Sequence, residues 1–223
     1  MWCSAPRSRA PTGRSHVEFA MQPTTVRGGQ LEPWLTGPPA PVVEDAIRYA
    51  VEKGMFIAIA AGNGFEDGNK SEVIAEIASR VSGAVSVSAI TREQRHAVYS
   101  STGSWVELAA PGGSFREHGA ERGVLQQTLD LDLASTFLLP PSEYTAPRFD
   151  SLAYCYFTGT SQAAPHVSGL AAMLMQQGVT DPAAVEQALE TFAIDLGEPG
   201  RDTTFGFGMV DGEALLRGLG LAR

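Results

Sequence analysis

Apolar residues recur with two different periods along this chain of 223 residues. From Val43 to Val51 they follow the i, i+3, i+4 spacing of an amphipathic helix, and Gly54 is a natural residue to end it. Residues 55–61 form instead a continuous apolar run of strand length, which stops at Gly62-Asn63-Gly64. A helix followed by a strand that is apolar on both faces predicts an α/β sheet covered by helices on both sides.

The same patterns predict further elements downstream. Short apolar runs predict strands at 85–90 and 105–110, and the alternation over 129–133 is compatible with another strand. Further helices are predicted over 71–78, from Ser161 to about residue 177, over 182–189 and after residue 210.

Residues 1–40 differ from the rest of the chain. They are rich in Arg, Pro, Ser, Thr and Gly, and their apolar periodicity is poor. Such a composition is typical of loop or disorder. We therefore divide the chain into an irregular or non-native segment, residues 1–40, and a folded part, residues 41–223.

The net charge and the cysteine content limit the classes of partner and ligand that we expect for this chain. The net charge of −9 disfavours nucleic acid and anionic membranes as partners, because phosphate binding needs a basic face. No apolar run is long enough for a transmembrane helix, and the first residues lack the apolar stretch of a signal peptide, so the sequence leaves the compartment open. Cys3 and Cys155 form neither a disulfide framework nor a metal-ligand spacing. We predict no cofactor and no metal.

The residues Gly159-Thr160-Ser161 open the predicted helix that runs to about residue 177. Free backbone N–H groups and the positive end of the helix dipole favour a developing negative charge at such a position. An acyl-transfer nucleophile needs this setting, although most serines at a helix start are simply N-caps. His166 follows five residues later and projects from a different side of the helix. We interpret it as structural, and His16, His96 and His118 as surface residues.

Four separated segments resemble motifs of the subtilisin-like serine peptidases (subtilases), in the order of that family. They are Ala60-Ala61-Gly62-Asn63, the region from Val98 to Gly113, Gly159 to Gly169, and Phe205 to Asp211. The resemblance covers roughly residues 40–223 and identifies this region as the C-terminal part of a subtilase catalytic domain. It implies a partial subtilisin-like three-layer α/β fold, with a mostly parallel sheet, helices on both faces and the N-terminal strands missing.

The resemblance also implies the chemistry. Ser161 would be the nucleophile of a serine-type endopeptidase, and the Asn63 side chain, with the Ser161 N–H, would stabilise the oxyanion. A plain Gly-Asn-Gly turn remains the alternative for Asn63. The substrate would be a polypeptide. An α/β-hydrolase is excluded, because the Gly-x-Ser-x-Gly elbow is absent and only His166 follows Ser161.

Subtilases order their triad as Asp, His and then Ser. Upstream of residue 40 the chain has neither an Asp-Ser/Thr-Gly element nor a His-Gly-Thr-His element. We therefore expect a truncated peptidase domain that is almost inactive by itself, with a complementary N-terminal fragment carrying Asp and His as a candidate partner. The alternative is a non-catalytic descendant that binds peptides or proteins. Truncation would also leave the strand at 55–61 as an unpaired edge.

Overall fold

The structure is a computed structural model that describes residues 17–20, 41–69, 72–116, 119–130 and 148–220. The described strands are β1 (Val17–Ala20), β2 (Phe56–Ala60), β3 (Ala84–Ile90), β4 (Leu108–Pro111), β5 (Val124–Asp130) and β6 (Arg148–Phe157). The described α-helices are α1 (Pro41–Glu52), α2 (Val73–Ala78), α3 (Thr160–Gln176), α4 (Pro182–Thr191) and α5 (Gly212–Gly218). None of these helices has the length and apolarity that crossing a membrane would require.

Two sheets organise the described strands. The larger sheet has the order β1-β2-β3-β4, and all of its pairs are parallel. Strands β5 and β6 form a separate antiparallel ribbon. Helix α1 lies between β1 and β2 and α2 lies between β2 and β3, whereas the connection from β3 to β4, residues 91–107, contains no helix.

Helices pack against both faces of the parallel sheet. Phe56 and Ala58 of β2 contribute to a core cluster with α3, α4 and α5, whereas Ile57 and Ile59 contribute to a second cluster with α1 and α2. Successive side chains of a strand point to opposite faces, so a strand buried on both faces must be apolar throughout. The fold is therefore the predicted three-layer α/β arrangement.

Helix α3 lies close to the sheet because the side chains that face it are small. Ala163, Ala164 and Ala171 are buried, and Leu174 supplies bulk near the end of the helix. Pro165 is the sixth residue of the helix rather than part of its first turn, so the hydrogen bond that an N–H there would donate to the Ser161 carbonyl is absent.

Strand β1 corrects one prediction. It lies within residues 1–40, which were expected to be irregular, and its residues pair with β2 from Val17↔Phe56 to Ala20↔Ile59. Strand β2 is therefore not the unpaired edge that the sequence suggested. Four residues between Arg- and Pro-rich flanks are too few for a periodicity, so only the long-range pairing identifies this strand. The rest of residues 1–40 lies outside the described residues.

The elements between β3 and α3 also differ from the prediction. Strand β4 begins at Leu108 rather than at residue 105. Strand β5 ends at Asp130, so the strand predicted at 129–133 starts earlier than expected, and residues 131–133 lie outside the described residues. Its partner β6 leads directly to Thr158 and Gly159, which connects the ribbon to the start of α3.

Candidate active site

Asn63 stands just beyond the carboxyl end of β2. Gly62 adopts a positive φ of +117°, which turns the chain out of the strand. The Ser101 N–H donates to the Gly62 carbonyl at 2.8 Å, and the Gly64 N–H donates to the Ser101 Oγ at 3.1 Å. These two bonds hold the backbone on both sides of Asn63 and leave its side chain exposed.

Ser161 lies in the first turn of α3. The preceding Gly159 has φ +152° and ψ 162°, a conformation that is essentially restricted to glycine. Its N–H donates to the Gly112 carbonyl at 3.1 Å, so the turn before the helix is tied to the loop after β4. Ser161 is half-buried, and its hydroxyl has no hydrogen-bond partner among the described residues.

The structure brings Asn63 to the start of α3. Both the N–H and the hydroxyl of Thr160 donate to Asn63 Oδ1, at 2.9 and 3.0 Å, and the Gly62 N–H donates to Thr160 Oγ1 at 3.3 Å. A backbone N–H can only donate, so the amide oxygen faces Thr160 and Nδ2 points away from it. Among the described residues Nδ2 has no partner. Two residues 97 positions apart therefore meet at the carboxyl edge of the sheet.

This arrangement presents unpaired donors in one place. The Ser161 N–H donates to none of the described residues. Its neighbours differ: the Thr160 N–H donates to Asn63 Oδ1, and the Gln162 and Ala163 N–H groups donate to the Gly159 carbonyl. Together with Asn63 Nδ2, the Ser161 N–H lies at the positive end of a helix of 17 residues. Neutral donors at such a position can stabilise a negatively charged oxygen without changing nearby protonation.

Neither described histidine is directed at Ser161. His166 Nδ1 lies 2.8 Å from the Gln162 carbonyl of its own helix, which agrees with a structural role. His96 is half-buried rather than a surface residue: it packs edge-on against the rings of Phe65 and Phe205, and its Nε2 lies 2.8 Å from the Ser100 carbonyl. His16 and His118 lie outside the described residues.

The sequence analysis missed Tyr99. Its hydroxyl donates to the Gly113 carbonyl at 2.7 Å. The same hydroxyl and the Gly159 carbonyl both lie close to the position that a Cβ atom on Gly112 would take. Burial raises the pKa of this phenol well above its usual value, so it remains a neutral donor. Tyr99 also lines a cavity of about 330 Å³ beside Asn63, where Phe115 adds apolar surface and Arg116 pairs with Glu66.

Three carboxylates also escaped the sequence analysis. Glu107, Glu186 and Glu190 place one oxygen each within 4.8 Å of one another at the opposite, amino edge of the sheet. Burial raises the pKa of Glu107 to about 7 and that of Glu190 to about 6, and the charge of Glu186 acts in the same direction. They could ligate a cation, but Glu107 already accepts the Ser86 N–H and Glu186 the Gly83 N–H, which anchors α4 to the sheet.

Comparison with known proteins identifies the family of the chain. The model of the Subtilase family matches residues 29–208, a range that begins before the predicted division at residue 40. The Minor extracellular protease Epr of Bacillus subtilis (strain 168) is 30% identical over 177 residues, covering 78% of this chain and 22% of the relative. The Thermophilic serine proteinase of Bacillus sp. (strain AK1) is 32% identical over 169 residues, covering 76% and 32%. The chain thus spans no more than a third of the length of these relatives.

Solved structures share the fold. A protease from Pseudoalteromonas arctica PAMC 21717 superposes with a TM-score of 0.60 and 31% identity, covering 82% of this chain and 48% of that chain. Fervidolysin from Fervidobacterium pennivorans gives a TM-score of 0.57 at 26% identity, covering 78% of this chain and 24% of that chain. With the family model matching most of its length, this chain belongs to the Subtilase family.

Proposed function

We propose that this chain supplies the nucleophile and the oxyanion donors of an endopeptidase site that cleaves polypeptides through an acyl-enzyme. Ser161 is the nucleophile, and Asn63 Nδ2 and the Ser161 N–H are the oxyanion donors. The observation that supports this most directly is the pair of Thr160 bonds to Asn63 Oδ1, because they hold Asn63 at the start of α3 and leave its amide nitrogen free to donate.

The chemistry follows from these positions. Ser161 Oγ attacks the scissile carbonyl carbon and its proton passes to a base, while the carbonyl oxygen takes up negative charge between the two donors. Collapse of this intermediate breaks the C–N bond, and the amine leaves with that proton. Water then attacks the acyl-serine by the same route, which releases the acid and restores the Ser161 hydroxyl.

The base does not come from the described residues around Ser161. No aspartate or histidine of the described ranges lies within hydrogen-bond distance of its hydroxyl, which stays protonated and weakly nucleophilic at neutral pH. We propose that Asp and His are contributed by a complementary N-terminal segment or fragment, and that this chain alone has little or no activity.

The test compares the chain alone with the chain complemented by an N-terminal subtilase fragment that carries the Asp and His motifs. We expect peptide-ester hydrolysis only after complementation. Ser161→Ala should abolish it, whereas Ser168→Ala, which changes a buried serine on the same helix, should retain it. Asn63→Ala should lower kcat by about 10²–10³-fold with little change in KM, a magnitude measured for the equivalent donor of subtilisin, a relative.

Two results would contradict the proposal. Activity that survives Ser161→Ala would remove the nucleophile, and ordinary peptidase rates from the chain alone would remove the need for a second segment. Tight peptide binding without turnover in the complemented protein would instead favour a non-catalytic peptide-binding module.

A further inference from the structure

The side chain of Glu72 lies directly against Gly62, the residue before Asn63. A Cβ atom placed on Gly62 would clash with Glu72 Cγ and would lie 3.2 Å from Glu72 Oε1 and 2.7 Å from Ser101 Oγ. An acidic side chain thus occupies the space that the missing side chain of Gly62 leaves beside the oxyanion donors.

The Glu72 carboxylate has no hydrogen-bond or ion-pair partner among the described residues. Glu72 is the residue before the first turn of α2, but its side chain accepts no bond from that helix, so capping does not explain it. Nearby Glu66, in contrast, pairs with Arg116. Glu72 is half-buried, and this burial raises its pKa, so the charged form has lost water without gaining a partner within the described part of the chain.

The charged side chains near Asn63 differ in whether they have a partner. In the cavity lined by Tyr99 and Phe115, Arg116 and Glu66 pair with each other, so their charges offset. Glu72 does not line this cavity; it lies against Gly62, the residue before Asn63, and its carboxylate has no partner among the described residues. A substrate whose scissile carbonyl reaches Asn63 Nδ2 places the side chains of its neighbouring residues close to Gly62. A positively charged one would be attracted by the Glu72 carboxylate.

We propose that Glu72 is a specificity-determining residue that binds the cationic side chain of a lysine or arginine next to the scissile bond. The inference rests on the proposed function, because it takes Asn63 as the position of the scissile carbonyl. A charge-assisted bond from a guanidinium or ammonium group would supply the partner that the carboxylate does not find among the described residues. The net charge of −9 favours approach of a cationic polypeptide.

The test measures binding of two product-like peptides to the chain by calorimetry. They are acetyl-Ala-Ala-Arg and acetyl-Ala-Ala-citrulline, each with a free carboxylate, and they differ only in the charge of the last side chain. We expect the arginine peptide to bind about tenfold more tightly. Glu72→Gln should remove this difference without weakening the citrulline peptide. Glu76→Gln, which changes a carboxylate in the first turn of α2, directly after Glu72, should preserve it.

Charge reversal gives an independent variant. Glu72→Lys should favour acetyl-Ala-Ala-Glu over the arginine peptide, and thermal unfolding of each variant establishes that it is folded. Equal affinities of the wild-type chain for arginine and citrulline, with Asn63→Ala weakening both, would overturn the inference and leave the proposed function intact. A preference that depends on Glu72 but is accompanied by no effect of Asn63→Ala would overturn the proposed function instead. Absence of binding by either peptide would overturn both.

Discussion

The two ends of the parallel sheet hold polar side chains in opposite ways. At the carboxyl edge, Asn63 and Thr160 are neutral, and they leave the Asn63 amide nitrogen and the Ser161 N–H without partners among the described residues. At the amino edge, Glu107, Glu186 and Glu190 are charged or titratable, and Glu107 and Glu186 bind backbone donors of β3 and of the residue before it.

The difference separates two uses of polar groups. Donors that remain unpaired but are held in place can act on something outside the chain, because no internal bond must be broken first. The Glu186 carboxylate connects α4 to Gly83 before β3, and the Glu107 carboxylate, just before β4, binds Ser86 of β3. These backbone bonds stabilise the fold while the net cost of burying the carboxylates stays limited. Arg201, which donates to the Ser104 and Val106 carbonyls, lowers the pKa of both Glu107 and Glu190 and offsets part of their mutual repulsion.

The largest loss of stability is expected from adding a side chain where the backbone packs tightly beside Glu107 at the amino edge. Gly206 has φ +63°, and a Cβ atom there would overlap the backbone carbonyl of Glu107. Gly206→Ala should lower the free energy of unfolding by more than about 3 kcal/mol, because both conformational strain and overlap contribute. Gly54→Ala, at φ +83° with open space around it, should lose only about 1 kcal/mol. Equal losses in urea unfolding would contradict the steric argument.

The charged edge should make stability depend on pH. The pKa of Glu107 is about 7 in the folded chain and about 4.5 when unperturbed, so the folded state holds this proton more tightly. The stability that Glu107 contributes through this tighter proton binding is fully present below pH 4.5. It is lost as pH rises through 7, by up to about 3 kcal/mol of the free energy of unfolding. Glu107→Gln keeps an oxygen for the Ser86 N–H and should be more stable than the parent at pH 8.

Urea unfolding at pH 5, 6, 7 and 8 measures this effect. The parent should lose stability across the series, and Glu107→Gln should lose much less. Glu213→Gln changes an exposed carboxylate and serves as the control. A parent whose stability rises from pH 5 to pH 8, with Glu107→Gln following the same curve, would refute the assignment.

Substitutions at the carboxyl edge, whose polar groups are neutral, should change kcat rather than the pH dependence of stability. Thr160→Val removes the hydroxyl that donates to Asn63 Oδ1 but retains the N–H that does the same. In the complemented enzyme we expect kcat to fall about tenfold, which corresponds to about 1.4 kcal/mol. Thr191→Val removes a hydroxyl that binds only its own helix, and it should leave kcat unchanged. An unchanged kcat for Thr160→Val would show that the N–H alone positions Asn63.

The smallest effect is expected where neither edge is involved. Arg217 and Glu213 pair at 3.1 Å on α5, but both side chains are more than 70% exposed. Arg217→Gln should change the free energy of unfolding by less than about 0.5 kcal/mol, because solvent screens such a pair. A loss above 1 kcal/mol in the same urea assay would mean that this pair is not the simple surface contact described.

Local patterns were sufficient for most of the core elements. The helix spacing from Val43 to Val51, the apolar run at 55–61 and the small residues after Ser161 predicted α1, β2 and α3 within a few residues. These patterns are visible because burial on one or two faces imposes a period on the sequence. The motif around Ser161 and the Gly-Asn-Gly turn likewise identified the residues that the fold brings together.

The amino-acid sequence by itself was therefore enough to predict the helices and strands with strong periodicity, the α/β class and the two candidate residues Ser161 and Asn63. Only the tertiary structure decided that β1 pairs with β2, that three glutamates from distant segments meet, and that Glu72 fills the space beside Gly62. The reason is physical: a period or a motif arises from contacts within one element, whereas these features arise from pairing and packing between elements far apart in the chain.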